Sequence, residues 1–197
     1  MKELICIVGE TASGKDTIAR IFESKYGLKQ VCSYTTRGPR PGETDGAEHY
    51  FVSQEAFDEI RNKEKVVAYT KIESPKSGVP GYEYCATYDE CLKSDIYIID
   101  PAGVDYLQTH FPEIQLSIIY VHADKDVRKM RALRRDPRGE KKFDDRYANE
   151  HEAFQKFMDD GNWNFLIENN TLSNFELELR IRNIAETLGV VKQCENE

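Results

Sequence analysis

Apolar residues in this chain gather in short runs, and the stretches between them repeat at helical spacing. The runs Leu4–Val8, Lys29–Cys32, Ile96–Ile99, Leu116–Val121 and Phe165–Ile167 predict strands. The intervening segments Lys15–Tyr26, Gln54–Asn62, Gly103–His110, Lys125–Arg134, Lys142–Asp159 and Asn174–Leu188 predict helices. Leu4–Val8 is apolar throughout, as a strand buried on both faces must be. In the first helix Ile18, Ile21 and Phe22 recur one turn apart, and Gly27 supplies a stop. Such alternation predicts an α/β fold, a parallel sheet flanked by helices, with ligands at the carboxyl ends of the strands.

Two stretches depart from the alternation. Residues 33–90 hold most of the glycines and prolines and many aromatics, with few long apolar runs, and predict an inserted, partly β subdomain. Residues 134–146 are mostly charged and predict a mobile flap. The expected layout is one domain over 1–197. Its core comprises 1–32, 91–130 and 147–190, with the insertion at 33–90 and a lid at 131–146. A core with an insertion and a charged flap suits an enzyme that closes on its substrates. No internal repeat or low-complexity segment interrupts it.

Composition narrows the partners. With 197 residues, 40% hydrophobic and 31% charged, the chain can bury one sizeable core and stay in solution. Its net charge of −8 argues against nucleic acid as a partner. No run approaches a membrane span, and the N-terminus carries no secretory pattern. The cysteines at 6, 32, 85, 91 and 194 are odd in number and scattered, which points to reduced thiols in a cytoplasmic protein.

The chemistry starts directly after the first strand. Gly9-Glu10-Thr11-Ala12-Ser13-Gly14-Lys15-Asp16-Thr17 is a glycine-bounded loop that ends in Gly-Lys and opens a helix. A loop of this kind wraps backbone N–H groups around a polyphosphate, aided by the positive end of the helix. Lys15 is placed to reach the outer phosphates. The usual hydroxyl after the lysine is replaced by Asp16. Magnesium accompanying ATP therefore meets either the Asp16 carboxylate or the hydroxyl of Thr17, both hard oxygen ligands.

A second run, Ser33-Tyr34-Thr35-Thr36-Arg37-Gly38-Pro39-Arg40-Pro41-Gly42-Glu43, sets two arginines among hydroxyls and rigid prolines, a fork for another phosphate. This run, with the loop before it, resembles the guanylate kinase family, and the resemblance covers roughly residues 4–188. It implies that Ser33, Arg37, Arg40 and Glu43 bind the acceptor monophosphate. His49 stands where the family has a tyrosine, with Tyr50 beside it, and Tyr84 matches the second acceptor tyrosine. Asp100, after Ile98-Ile99, matches a strand-end aspartate of the family, placed for the acceptor or for magnesium-bound water. Arg131, Arg135 and Arg146 match the lid arginines that neutralise transferring charge. Asn169 matches a residue near the donor base.

The resemblance weakens at base recognition. The family's guanine-reading glutamate falls on Ala68, and Cys85-Ala86-Thr87 replaces Gly-Thr-Ser. The expected function is transfer of the ATP γ-phosphoryl group to GMP or a related nucleoside monophosphate. Two alternatives are a catalytically silent binding module of the same fold and a P-loop kinase for another small phosphorylated metabolite. The residues specify neither the acceptor base nor the oligomeric state.

Overall fold

In the computed structural model, residues 2–39, 42–47, 49–72, 81–171 and 173–190 are described. The elements are β1 (Lys2–Val8), α1 (Lys15–Tyr26), β2 (Ser33–Thr35), β3 (His49–Phe51), α2 (Gln54–Lys63), β4 (Val66–Ile72), β5 (Tyr82–Thr87), α3 (Tyr88–Lys93), β6 (Ile96–Ile98), α4 (Pro101–His110), β7 (Ile114–His122), α5 (Lys125–Arg135), α6 (Glu140–Asp159), β8 (Phe165–Glu168) and α7 (Asn174–Thr187). They build a parallel four-stranded sheet of order β6-β1-β7-β8 and a second four-stranded sheet of order β3-β2-β5-β4.

The chain divides into two compact units. One contains Met1–Leu4, Lys29–Tyr97 and Ala102–Gln115, and the other Ile5–Leu28, Ile98–Pro101 and Leu116–Glu197. In the latter, Ile7, Val8, Ile119, Tyr120, Val121 and Ile167 are almost wholly buried, as the continuous apolar runs require. Helix α1 ends at Gly27, which has φ 67° and donates its N–H to the Glu23 and Phe22 carbonyls, a cap that needs the left-handed conformation. Helix α7 opens on a capping box formed by Ser173 and Glu176.

In the first unit β2 pairs in parallel with β3 and antiparallel with β5, which pairs antiparallel with β4. Ser53 caps α2 by accepting the Ala56 N–H, and Thr87 caps α3 by accepting the Glu90 N–H. The buried Phe57 of α2 meets Tyr69 of β4 at 6.5 Å between ring centroids, so α2 covers the Tyr69 face of this sheet.

Two expectations change. The strand expected over Lys29–Cys32 exists only as a bridge between Gln30 and Ile96. The Asp95 carboxylate accepts the Lys29 N–H at 3.0 Å, so a side chain interrupts the ladder, and regular pairing resumes at Ser33 in the other sheet. The charged stretch 134–146 is mostly helix, because α5 runs to Arg135 and α6 starts at Glu140. Lysine–carboxylate pairs one turn apart or between these helices, Lys141 with Asp145 and Lys129 with Glu140 and Asp144, let a highly charged sequence stay helical.

Candidate active site

At its two glycines the loop between β1 and α1 packs too closely for a side chain. A Cβ at Gly9 would lie 2.4 Å from the Val121 carbonyl oxygen. At Gly14, with φ +112°, it would lie 2.4 Å from Asn169 Nδ2. That amide donates to the Ser13 carbonyl at 2.8 Å, and the backbone N–H of Asn169 donates to His122 at 2.7 Å. Asn169 is thus a strut that ties the loop to the end of β8. Ala12 takes φ 63°, a left-handed conformation that costs a non-glycine residue about 1 kcal/mol. Backbone turned this way aims successive N–H groups into one concavity.

Lys15 lies across this concavity. Its Nζ donates to the Gly9 carbonyl at 2.5 Å and the Glu10 carbonyl at 3.0 Å, leaving further donor capacity on the ammonium. Its enclosure lowers its pKa, while Asp16 and Glu150 oppose that shift. The residue as a whole is half-buried. Thr11 donates its N–H to Glu150 Oε1 at 2.7 Å and its hydroxyl to Oε2 at 3.2 Å.

Arg131 joins the same loop, donating to the Ser13 carbonyl at 3.2 Å and the Asn169 carbonyl at 2.6 Å. Burial lowers its pKa, and Arg135 and Arg134 add to that effect. Arg146, on α6, is close enough to Lys15 to depress its proton affinity. Arg135, at the end of α5, is exposed. Asp16 is exposed in the first turn of α1, and the Thr17 N–H donates to the Gly14 carbonyl at 3.1 Å. Asp100 lies two residues past β6 and directly before α4, and the neighbouring Ile99 N–H donates to the Ile7 carbonyl at 3.2 Å.

Glu10 turns away from the concavity. Its buried carboxylate meets Arg128 NH2 at 2.9 Å and His151 Nδ1 at 3.1 Å. Arg128 is 2% exposed, donates Nε to the Ala123 carbonyl at 2.9 Å and packs over the Tyr147 ring at 5.4 Å. Tyr147 stacks on His151 at 4.4 Å. No motif in the sequence marks residues 128, 150 and 151. They lie more than a hundred positions from the loop, inside helices whose charges read as a solvated face.

In the other unit the second motif closes on itself. Arg37, 5% exposed, donates to both Glu43 oxygens at 2.6 and 2.7 Å, to Tyr84 Oη through Nε at 2.9 Å and to the Gly38 carbonyl at 3.0 Å. Its guanidinium also lies over the Phe51 ring at 5.2 Å. Burial works against the charge, but Glu43 and Tyr84 outweigh it and raise the pKa of Arg37. Because Tyr84 accepts from Arg37, its own phenolic proton is left to donate. Ser33 Oγ and His49 Nδ1 are 2.8 Å apart, and the His49 ring sits 5.7 Å from Tyr84.

Of His49 and Tyr50, His49 joins this cluster. Tyr50 points to the other face of the strand and stacks on Tyr34 at 4.9 Å. Strand alternation separates the two neighbours. Arg40 lies outside the described residues.

A family model described as guanylate kinase matches residues 1–180. The guanylate kinase of Symbiobacterium thermophilum is 27% identical over 192 residues, spanning 96% of this chain and 88% of that protein. That of Caldanaerobacter subterraneus is 26% identical over 189 residues, spanning 95% and 89%. The crystal structure of guanylate kinase from Anaplasma phagocytophilum superposes with a TM-score of 0.62 at 18% identity, covering 98% of this chain and 88% of that one, a likeness of fold. The phosphate loop, the arginine motif and a family match over residues 1–180 agree: this chain belongs to the guanylate kinase family.

Proposed function

We propose that this protein transfers the γ-phosphoryl group of ATP to a nucleoside monophosphate, GMP being the acceptor that its relatives' names indicate. The observation that carries the reading is the buried Arg37 held by Glu43 and Tyr84, in a chain that also owns a phosphate loop with its lysine in place. A buried guanidinium with fixed donors suits a dianionic phosphate better than a solvated basic loop does.

The roles divide by unit. Gly9 to Gly14, Lys15, Thr17 and Asn169 hold the donor, with Lys15 on its outer phosphates. Ser33, Arg37, Arg40, His49 and Tyr84 hold the acceptor phosphate, and Glu43 keeps Arg37 in place. Arg131, Arg135 and Arg146 form the lid, between residues 131 and 146, that neutralises charge on the transferring group. Arg131 already bonds the phosphate loop, which supports its share. Catalysis then consists of positioning and electrostatic stabilisation, without a covalent enzyme intermediate.

Magnesium fits the donor set. Among the described residues no cluster of three or more carboxylate, histidine or cysteine side chains could cage a metal. Asp16, Thr17 and Asp100 offer hard oxygens, which suit an ion that keeps waters and binds mainly through phosphate oxygens. When bound, it would neutralise charge on the β- and γ-phosphates. No helix among the described residues is long and apolar enough to cross a membrane. The buried thiols Cys6, Cys32, Cys85 and Cys91 favour a reducing, cytoplasmic compartment.

ADP release from ATP and magnesium with a panel of monophosphates tests the reading. Turnover with at least one acceptor is expected, lost in Lys15→Ala and in Arg37→Ala, the latter still binding ATP. Failure to bind ATP and to turn over any acceptor overturns the kinase reading.

A further inference from the structure

Two consecutive residues of α6 grip two consecutive residues of the phosphate loop. His151 Nδ1 lies 3.1 Å from the Glu10 carboxylate, while the Glu150 carboxylate accepts the N–H and the hydroxyl of Thr11 at 2.7 and 3.2 Å. A nucleotide affects these grips differently. Glu10 is 5% exposed, and Arg128 also holds its carboxylate at 2.9 Å, away from the concavity. An anion entering the loop does not need those groups. Glu150 is half-buried and takes donors that the loop would otherwise offer to that anion.

The Glu150 grip belongs to one end of the loop. A polyphosphate lays its inner phosphates against the first N–H groups of α1, whose cap is Gly14, and its outer phosphates against the lysine. The peptide unit joining Glu10 to Thr11 is engaged from both sides. Lys15 Nζ donates to its carbonyl at 3.0 Å, and its N–H goes to Glu150. Glu150 is also near enough to Lys15 to favour the lysine's charge. The carboxylate therefore stands at the outer-phosphate end, where a triphosphate brings a γ-group and a diphosphate does not.

We propose that Glu150 is a tethered competitor of the γ-phosphate, which ATP expels from Thr11 and ADP leaves in place. The proposal rests on the kinase reading above and specifies how the donor site separates substrate from product. With His151 still on Glu10, the expelled carboxylate stays within reach of the loop, so its return is an intramolecular step at high effective concentration. Arg146 is one turn before Glu150 on the same face of α6, and it too lies close to Lys15. A γ-phosphate that replaces the carboxylate meets both cations. Once the phosphoryl group has passed to the acceptor, Glu150 retakes Thr11.

The test is the dissociation constant of a non-hydrolysable ATP analogue and of ADP, each with magnesium, for the wild type, Glu150→Ala and Glu150→Gln. Glu150→Ala is expected to lower the constant for the ATP analogue about tenfold, the value of a hydrogen bond to a charged group, and to change that for ADP by less than about threefold. Glu150→Gln keeps the shape and removes the charge, and is expected to give a smaller gain, again for the ATP analogue alone. Alanine is a strong helix former and position 150 is half-buried, so neither variant empties the core. A gain for ADP as large as that for the ATP analogue, or no gain for the analogue in either variant, overturns the proposal while the kinase reading stands. A wild type that binds neither nucleotide overturns both.

Discussion

The carboxylate of Glu150 takes the backbone N–H and the hydroxyl of Thr11, so a side chain of α6 fills an anion position on the phosphate loop. It also lies near enough to Lys15 to favour that lysine's charge. An incoming polyphosphate competes for the same donors. Arg146 is on the same helix, four residues earlier. Expelling Glu150 therefore perturbs the helix that also carries Arg146.

Removing that competitor is expected to tighten nucleotide binding. A charge-assisted hydrogen bond contributes about 1.5–3 kcal/mol, so Glu150→Ala is expected to lower the ATP dissociation constant by about tenfold. Calorimetric titration with a non-hydrolysable ATP analogue measures this. Equal or weaker binding by the variant would show that the carboxylate does not compete.

Glu10 and Arg128 form a second loop contact, and it is almost completely buried. Arg128→Met leaves the Glu10 carboxylate buried beside only His151, a loss of about 3 kcal/mol. Adding Glu10→Gln removes the stranded charge and is expected to recover most of that loss. Urea denaturation of the single and double variants reads the coupling. Additive losses would mean that the pair is not a unit.

Gly14 is expected to tolerate no side chain. Gly14→Ala drives a methyl into Asn169 and strains a backbone at φ +112°. Pairing it with Asn169→Ala removes the clash but not the strain, so ATP affinity recovers only in part. Full recovery in the double variant would assign the whole effect to the clash.

Burial pushes the thiols of Cys85 and Cys91 up to about 12. The native state thus keeps protons that the unfolded chain releases near pH 8.5, taking about 8.5 as the ordinary thiol value. Their contribution to stability is complete below that pH and is lost as the pH rises toward about 12. With so little thiolate, neither is expected to react with iodoacetamide at pH 8 unless denatured. Peptide mapping checks it, and labelling of the native protein at the unfolded rate would contradict the burial.

Much of this site was legible locally. The apolar run Leu4–Val8, the glycine-bounded loop and the stop at Gly27 each answer to constraints acting within a few residues. Arg37 and Tyr84 were legible only through a motif, because 47 positions separate them and their contact depends on the β2–β5 register. The choice between His49 and Tyr50 could not be made from adjacent letters. It is a matter of which face of β3 looks toward Ser33.

By itself the sequence determined the α/β alternation, the phosphate loop and the arginine motif, since backbone sterics and side-chain periodicity act over one or two turns of chain. The tertiary structure alone decided that Glu150 occupies the loop, that Arg128 and His151 meet at Glu10, and that Ala68 lies against Ala86. Those meetings arise from sheet register and helix packing, which join residues that no local pattern connects.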